Sequence, residues 1–322
     1  MKRTIMLVSA AALVGVLFAF GSCAKKSEPQ VTAKTAQETI ILTMGSWRTD
    51  DVVQMTALLD EYKKIKPTVT IQFRPTNPPD YNETLRAQLD SGAGPDLMYA
   101  RSYALGQELF EAGYFGDCSD ISGVSENFTP SNTAPWRTGD GRIFAVPFAA
   151  VSHAVYYNKT IFQKEGLSTP PTWEDFLALC AALASKGYTP LANGIADEWD
   201  ILEAFYFGML PNFIGGAAER ARYESGEKKL NDANFEASFQ AMRDVAPYLP
   251  QGFGSVSYAG SQELFNSQQA VMFMDGSWTA GAYKNAAFEW GVFAMPAPQG
   301  RATLTTFHPD MAIAYNLWLY IV

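Results

Sequence analysis

The apolar positions of this chain recur with two alternating periods. Residues 39–44 form a β-branched, apolar run that ends at Gly45-Ser46-Trp47, which reads as a buried strand whose carboxyl end lies at Trp47. Thr49 or Asp50 then caps a helix carrying Met55, Leu58, Leu59, Tyr62 and Ile65 on one face. Lys63, Lys64 and Lys66 suit the dipole of its last turn, and Pro67 stops it. Residues 68–73 make a second strand and 81–89 a second helix, closed by Ser91-Gly92-Ala93-Gly94-Pro95. A third strand covers 96–99. Strands and helices alternating at this spacing predict a parallel, doubly wound α/β sheet with helices on both faces. Such sheets hold ligands at the carboxyl ends of their strands, where Trp47, Arg48, Arg101 and Tyr103 fall.

The pattern then breaks. Residues 143–147 and 154–157 are extended. Thr172 is a good N-cap for a helix with Glu174 and Asp175 in its first turn. Phe176, Leu179, Cys180 and Leu183 follow at helical spacing, and Gly187 closes the helix. Residues 234–245 are a further amphipathic helix with Phe235, Phe239, Met242 and Val245 inward; 270–274 and 290–295 are strands. There is no internal repeat.

The N-terminus has a different grammar. Lys2 and Arg3 precede an apolar stretch over 5–20, and Gly21-Ser22-Cys23 closes it. A basic start, an apolar middle and small residues at the end are the parts of a secretory signal. The Cys after small residues resembles a bacterial lipoprotein signal, with Phe20 standing where Leu is usual. That resemblance implies lipidation of Cys23 after removal of residues 1–22. Residues 23–38 are polar and without apolar period, so they read as a flexible tether. No later apolar segment has the length to span a bilayer. The formal charge of −9 becomes −11 once the two positive charges of Lys2 and Arg3 leave, and no basic patch is present, which argues against nucleic acid as a partner. The chain has two histidines and no Cys/His cluster, which argues against a dedicated zinc site; no metal and no cofactor are expected. Cys118 and Cys180 lie on segments expected to be far apart, so they are expected to stay unpaired.

Five segments carry a wider resemblance: Ser91-Gly92-Ala93-Gly94-Pro95-Asp96, Tyr156-Tyr157-Asn158-Lys159, Pro170-Pro171-Thr172-Trp173-Glu174-Asp175-Phe176, the run 265–278 that ends Asp275-Gly276-Ser277-Trp278, and Val292-Phe293-Ala294-Met295-Pro296-Ala297-Pro298. In their order and spacing they resemble the extracellular solute-binding proteins of sugar ABC transporters, the family that includes maltodextrin-binding protein. The resemblance implies a two-lobed, periplasmic-binding-protein-like α/β fold (type II). Each lobe would be a mixed, mostly parallel sheet flanked by helices. It places residues 39–148 with 297–322 in one lobe and 149–296 in the other, with crossings near 145–154 and 292–297. It implies no enzyme, but a lipid-anchored, extracytoplasmic monomer that captures a small carbohydrate between its lobes. The captured sugar would pass to the permease subunits of an ABC transporter. In the family, a segment like Asp310-Met311-Ala312-Ile313-Ala314 is followed by further helices. Here Tyr315-Asn316-Leu317-Trp318-Leu319-Tyr320-Ile321-Val322 follows, so the sequence is expected to be C-terminally truncated.

A sugar presents C–H faces that stack on aromatic rings and hydroxyls that need directional partners. Trp278 matches the family's stacking Trp. Trp199, in Asp197-Glu198-Trp199-Asp200 after Asn193-Gly194, is a second candidate platform. Trp47 and Arg48 end the first strand, Arg101 follows the third and offers a fork of donors, and Asp310 could accept from a hydroxyl. Asp96 is expected to shape its turn, and His153 to be packed at a crossing. Two other readings stand beside this one: a binding protein of the same fold for an iron complex or polyamine, and a glycoside hydrolase with two carboxylates across the sugar. Tyr156-Tyr157 suggests iron, but in an alternating strand only one ring can reach a cleft.

Overall fold

A computed structural model describes residues 39–317. The signal, the tether and Cys23 lie outside the described residues, as do residues 318–322.

Strand β1 (Ile40–Ser46) pairs in parallel with β2 (Val69–Pro75) on one side and β3 (Leu97–Ala100) on the other. Helices Val52–Ile65 and Tyr81–Asp90 make the two crossovers, as the alternation predicts. The parallel run ends at β3, whose outer neighbour is the antiparallel strand β8 (Phe307–Tyr315). Strand β4 (Val146–Asn158) is continuous where the sequence suggested two extended pieces. Its first half pairs with β8, Val146 to Ser152 against Ile313 to Phe307, with register shifts on either side of Ala149. Its second half pairs with β6 (Ala270–Gly276) and with β7 (Trp290–Phe293), both antiparallel. Strand β5 (Thr189–Leu191) adds in parallel to β6. The order is therefore β2-β1-β3-β8-β4-β6-β5, with β7 branching from β4.

Two main apolar cores flank this shared strand. Met44, Met98, Tyr99, Phe110, Trp136, Phe144 and Ala312 form one. Val155, Phe176, Leu183, Leu191, Phe205, Met209, Met272 and Met274 form the other. Helix Trp173–Ser185 shows why its segment folds as read: Thr172 Oγ1 accepts from Asp175 N at 3.1 Å, and the buried stripe is Trp173, Phe176, Leu179, Cys180 and Leu183. Two other stripes are rotated from expectation. On helix Val52–Ile65 only Met55 is buried, while Leu58 and Ile65 face out. On helix Ala233–Val245 the buried residues are Ser238, Ala241 and Val245, and Phe239 instead stacks on Tyr206 at the surface. Periodicity locates a stripe; which flank of it meets a neighbour is decided by tertiary packing.

Asp96 clamps β3 to β1. Thr43 N and Oγ1 donate to its Oδ2 at 2.5 and 2.7 Å, and Asp96 N donates back to Thr43 Oγ1 at 3.1 Å. Cys118 and Cys180 are free thiols, each buried.

Candidate functional site

The strand ends converge as the α/β rule requires. Trp47 leaves β1 and is buried, its ring edge-on to Tyr81 and Tyr99 at 5.4 Å each. The Arg101 guanidinium lies 3.9 Å above that ring. One Trp47 face is thus occupied by Arg101, and the residue serves as the bed on which the arginine rests. Arg101 Nε donates to Asn82 Oδ1 at 3.1 Å, and it has no carboxylate at ion-pair distance among the described residues. Burial lowers its pKa, while Glu203 and Asp310 act to raise it. Arg48 is gripped in two places by Asp51, at 2.9 Å each, so its fork is already engaged. Its guanidinium carbon lies 5.9 Å from the Trp278 ring centre, which joins the β1 end to the β6 end.

The β6 end supplies an aromatic wall. Trp278 sits in the turn Ser277–Gly281 directly after β6. Its Nε1–H donates to Tyr258 Oη at 2.7 Å; Tyr258 Oη–H donates to Asp275 Oδ2 at 3.0 Å. Asp275 is fully buried, and desolvation pushes its carboxyl up to about 8 despite a 2.8 Å bond from Gly276 N. Trp199 packs 4.6 Å from Tyr258 and 6.2 Å from Trp278. Its Nε1 is buried and without a partner. Glu198, just before it, holds a left-handed φ of 58°, an uncommon state for a residue with a Cβ. Trp199 opens onto a π-helical segment, Asp200–Tyr206, a local form that recurs at functional sites.

That segment delivers Glu203 to the middle of the site. One ligand atom each from Glu203, His308 and Asp310 lie within 4.8 Å of one another. Burial, reinforced by the neighbouring Asp310 charge, pushes Glu203 up to about 7. Burial also raises Asp310 and lowers His308. His153, on β4, is 2% exposed; burial and His308 push it down to about 4, and neither ring nitrogen has a partner. Its ring lies 5.4 Å from His308 and 5.5 Å from Trp278.

The structure thus gathers Trp278, Trp199, Trp47, Arg101, Arg48 and Asp310 around one region. The sequence reading missed Tyr258, Asp275, Glu203 and His308. Tyr258 and Asp275 lie beside recognisable features, the Ser257 N-cap and the Gly276-Ser277-Trp278 turn; Glu203 and His308 carry no local signal. The Tyr156-Tyr157 pair lies elsewhere. The Tyr156 hydroxyl is committed to Gly276 O at 3.0 Å, and Tyr157 packs on Phe162 and Phe293. Chemically the site offers ring faces, an unpartnered indole N–H, an arginine fork and unpaired carboxylates. It can meet a ligand that has both apolar faces and many hydroxyls.

Comparison with known proteins gives a consistent frame. The chain is 25% identical over 269 residues to the "Multiple sugar-binding protein" of Streptococcus mutans, covering 80% of this chain and 63% of that protein. It is 25% identical to the "Maltotriose-binding protein" of Pyrococcus abyssi over 244 residues, 74% of this chain and 50% of that one. The chain therefore spans less than two thirds of the length of these two relatives. Among solved structures it is similar to the solute-binding protein RafE in complex with raffinose, with a TM-score of 0.71, 23% identity, and coverage of 87% of this chain and 74% of that one. A chitin oligosaccharide binding protein gives 0.72, 21%, 87% and 72% on the same measures. These likenesses show the two-lobed type II α/β fold. The family model for bacterial extracellular solute-binding proteins matches residues 45–321. The chain belongs to the bacterial extracellular solute-binding protein family.

Proposed function

We propose that this protein captures a carbohydrate between two lobes and hands it to the permease of an ABC transporter. The observation that carries this reading is the meeting of two indoles, Trp199 and Trp278, with the Arg101 fork and the unpaired Glu203 and Asp310 carboxylates. Stacking faces and hydroxyl partners are what a sugar ring requires. The relatives whose names include multiple sugars and maltotriose, and the neighbours bound to or named for raffinose and chitin oligosaccharides, support the same ligand class.

In this reading residues 39–148 with 297–322 form one lobe and 149–296 the other. β4 crosses between them, and closure brings the Trp47–Arg101 end onto the Trp278 wall. The protein acts as a monomeric binder and not as a hydrolase. It is held outside the cytoplasm by a lipid on Cys23, the residue at which the signal ends.

Calorimetric titration against oligosaccharides, polyamines and a ferric complex tests the ligand class. Saturable heat with a carbohydrate, no turnover of it, and silence with the others is the expected result. Binding of a polyamine or ferric complex alone rejects the carbohydrate reading, and sugar hydrolysis rejects the binder. Labelled palmitate incorporated by the protein and absent from Cys23→Ala tests the anchor; equal labelling of both removes it.

A further inference from the structure

We propose that Glu203, His308 and Asp310 form a binding site for one divalent transition-metal ion of the zinc class, beside the ring of His153, whose centre lies 5.4 Å from that of His308. The sequence argues against zinc because it has two histidines and no Cys/His cluster, the histidines standing 155 positions apart. The β4–β8 ladder, which pairs Val151 with His308, brings them side by side. Asp310 is the extra residue of the bulge between Pro309 and Met311, and it stands two positions from His308 on the same strand. Glu203 approaches from the π-helical segment. The three donor atoms lie within 4.8 Å of one another. Donors about 2.0–2.2 Å from a tetrahedral zinc are roughly 3.3–3.6 Å apart, so side-chain rotation suffices to close the shell.

An independent observation points to a ligand at this place. His153 is almost wholly buried, yet both its nitrogens lack a partner, and so does the buried Nδ1 of His308. Unpaired buried donors and acceptors are costly. A metal ion takes up an imidazole lone pair and so gives such a nitrogen a partner. Two carboxylates crowd the same space, and neither has a Lys or Arg at ion-pair distance among the described residues. The positive charges acting on the cluster are Arg48, Arg101 and, at His308, Arg220. Arg48 is taken by Asp51 and Arg220 by Glu224, while Arg101 rests on Trp47. They weaken the attraction for a cation without filling its place. Mixed imidazole and carboxylate donors select zinc-class ions over magnesium or calcium, which prefer oxygen alone. The ion would take one oxygen of each carboxylate, leaving the other to accept from a hydroxyl, and would tie the π-helical segment to the crossing strands beside the aromatic wall.

The test uses full-length protein without an oligohistidine tag, stripped by chelator and titrated with zinc chloride in a calorimeter. A stoichiometry of one, a rise in melting temperature reversed by chelator, and no response to magnesium or calcium are expected. Cobalt substituted at the site should give the visible absorption of a tetrahedral ion. Glu203→Gln and His308→Ala should each weaken zinc at least tenfold while keeping the metal-free circular dichroism spectrum. Should His308→Ala fail to fold, Asp310→Asn serves in its place. No zinc binding at millimolar concentration, or wild-type affinity in these variants, overturns the proposal. Since the probe is the metal alone, a failure here leaves the carbohydrate reading standing.

Discussion

Trp278 and Tyr258 are joined by a 2.7 Å hydrogen bond in which the indole Nε1–H donates to the phenol oxygen. That oxygen also accepts from Gln262 Nε2 at 3.1 Å and donates to Asp275 at 3.0 Å. Its hydrogen-bonding capacity is full. Trp278 therefore has its ring face, and not its N–H, to offer a ligand, while Trp199, whose Nε1–H is unpartnered, has a donor to offer.

Trp278→Ala is expected to weaken carbohydrate binding by about 1–3 kcal/mol, because a stacking face and its buried area are lost. Trp199→Ala and Trp47→Ala should do so to a smaller degree, the latter by unseating Arg101. Calorimetry on the three variants checks this; unchanged affinity in all of them would place the pocket elsewhere.

Tyr258→Phe removes the hub of the strut, leaving the Trp278 N–H without its partner and taking one hydrogen bond from Asp275 Oδ2. The expected cost is about 1–3 kcal/mol of stability, read by chemical denaturation. A shift in tryptophan emission of the ligand-free protein should accompany it. A variant with wild-type stability and emission would show that the strut does not hold the ring.

Asp275 gives a pH signature. Its folded pKa of about 8 lies above the value near 4 of an exposed carboxyl, so between these limits the folded state holds a proton that the unfolded state releases. Its contribution to stability is intact below about pH 4 and falls as pH rises to about 8, by up to about 1.4 kcal/mol per pH unit. Tyr258, Thr279, Gly276 N and Asp200 surround it; Asp200, pushed up to about 6 by burial, adds a slope of the same sign over a narrower window. In Asp275→Asn the stability curve between pH 6 and 8 should flatten. An unchanged slope would mean that Asp275 is ionised in the fold.

Arg101→Lys keeps the charge and loses the planar contact with Trp47. Affinity for carbohydrate should fall at least fivefold with little change in melting temperature, since a lysine can neither stack nor present a fork. Wild-type affinity in this variant would show that only the charge matters.

The strand ends were legible because hydrophobic alternation locates where β1 and β3 stop, and Trp47, Arg48 and Arg101 follow directly. Trp278 and Trp199 were legible through the family resemblance, which points to the aromatic residues after Gly276-Ser277 and Asn193-Gly194. Glu203 was not, because it stands on a π-helical stretch that has no hydrophobic period of its own. His308 was not, because its neighbours arrive through pairing of strands some 150 positions apart in the chain. The same limit explains the outward Leu58, Ile65 and Phe239. Each lies on a correctly located helix, yet the sequence period does not say which side of that helix another layer will cover.

The two buried thiols lend the molecule a pair of internal clocks. Cys180 lies within the core around Phe176 and Met272, and Cys118 packs with Val124 and Ile143 in a separate cluster beside Val146, where β4 begins. Burial pushes Cys118 up to about 12 and raises Cys180 further, so both are silent toward alkylating reagents while their surroundings stay closed. With Cys23 replaced, the rate at which each thiol becomes reactive reads the opening of its own neighbourhood. Mass spectrometry of the two peptides then tells whether the halves joined by β4 come apart together or in turn.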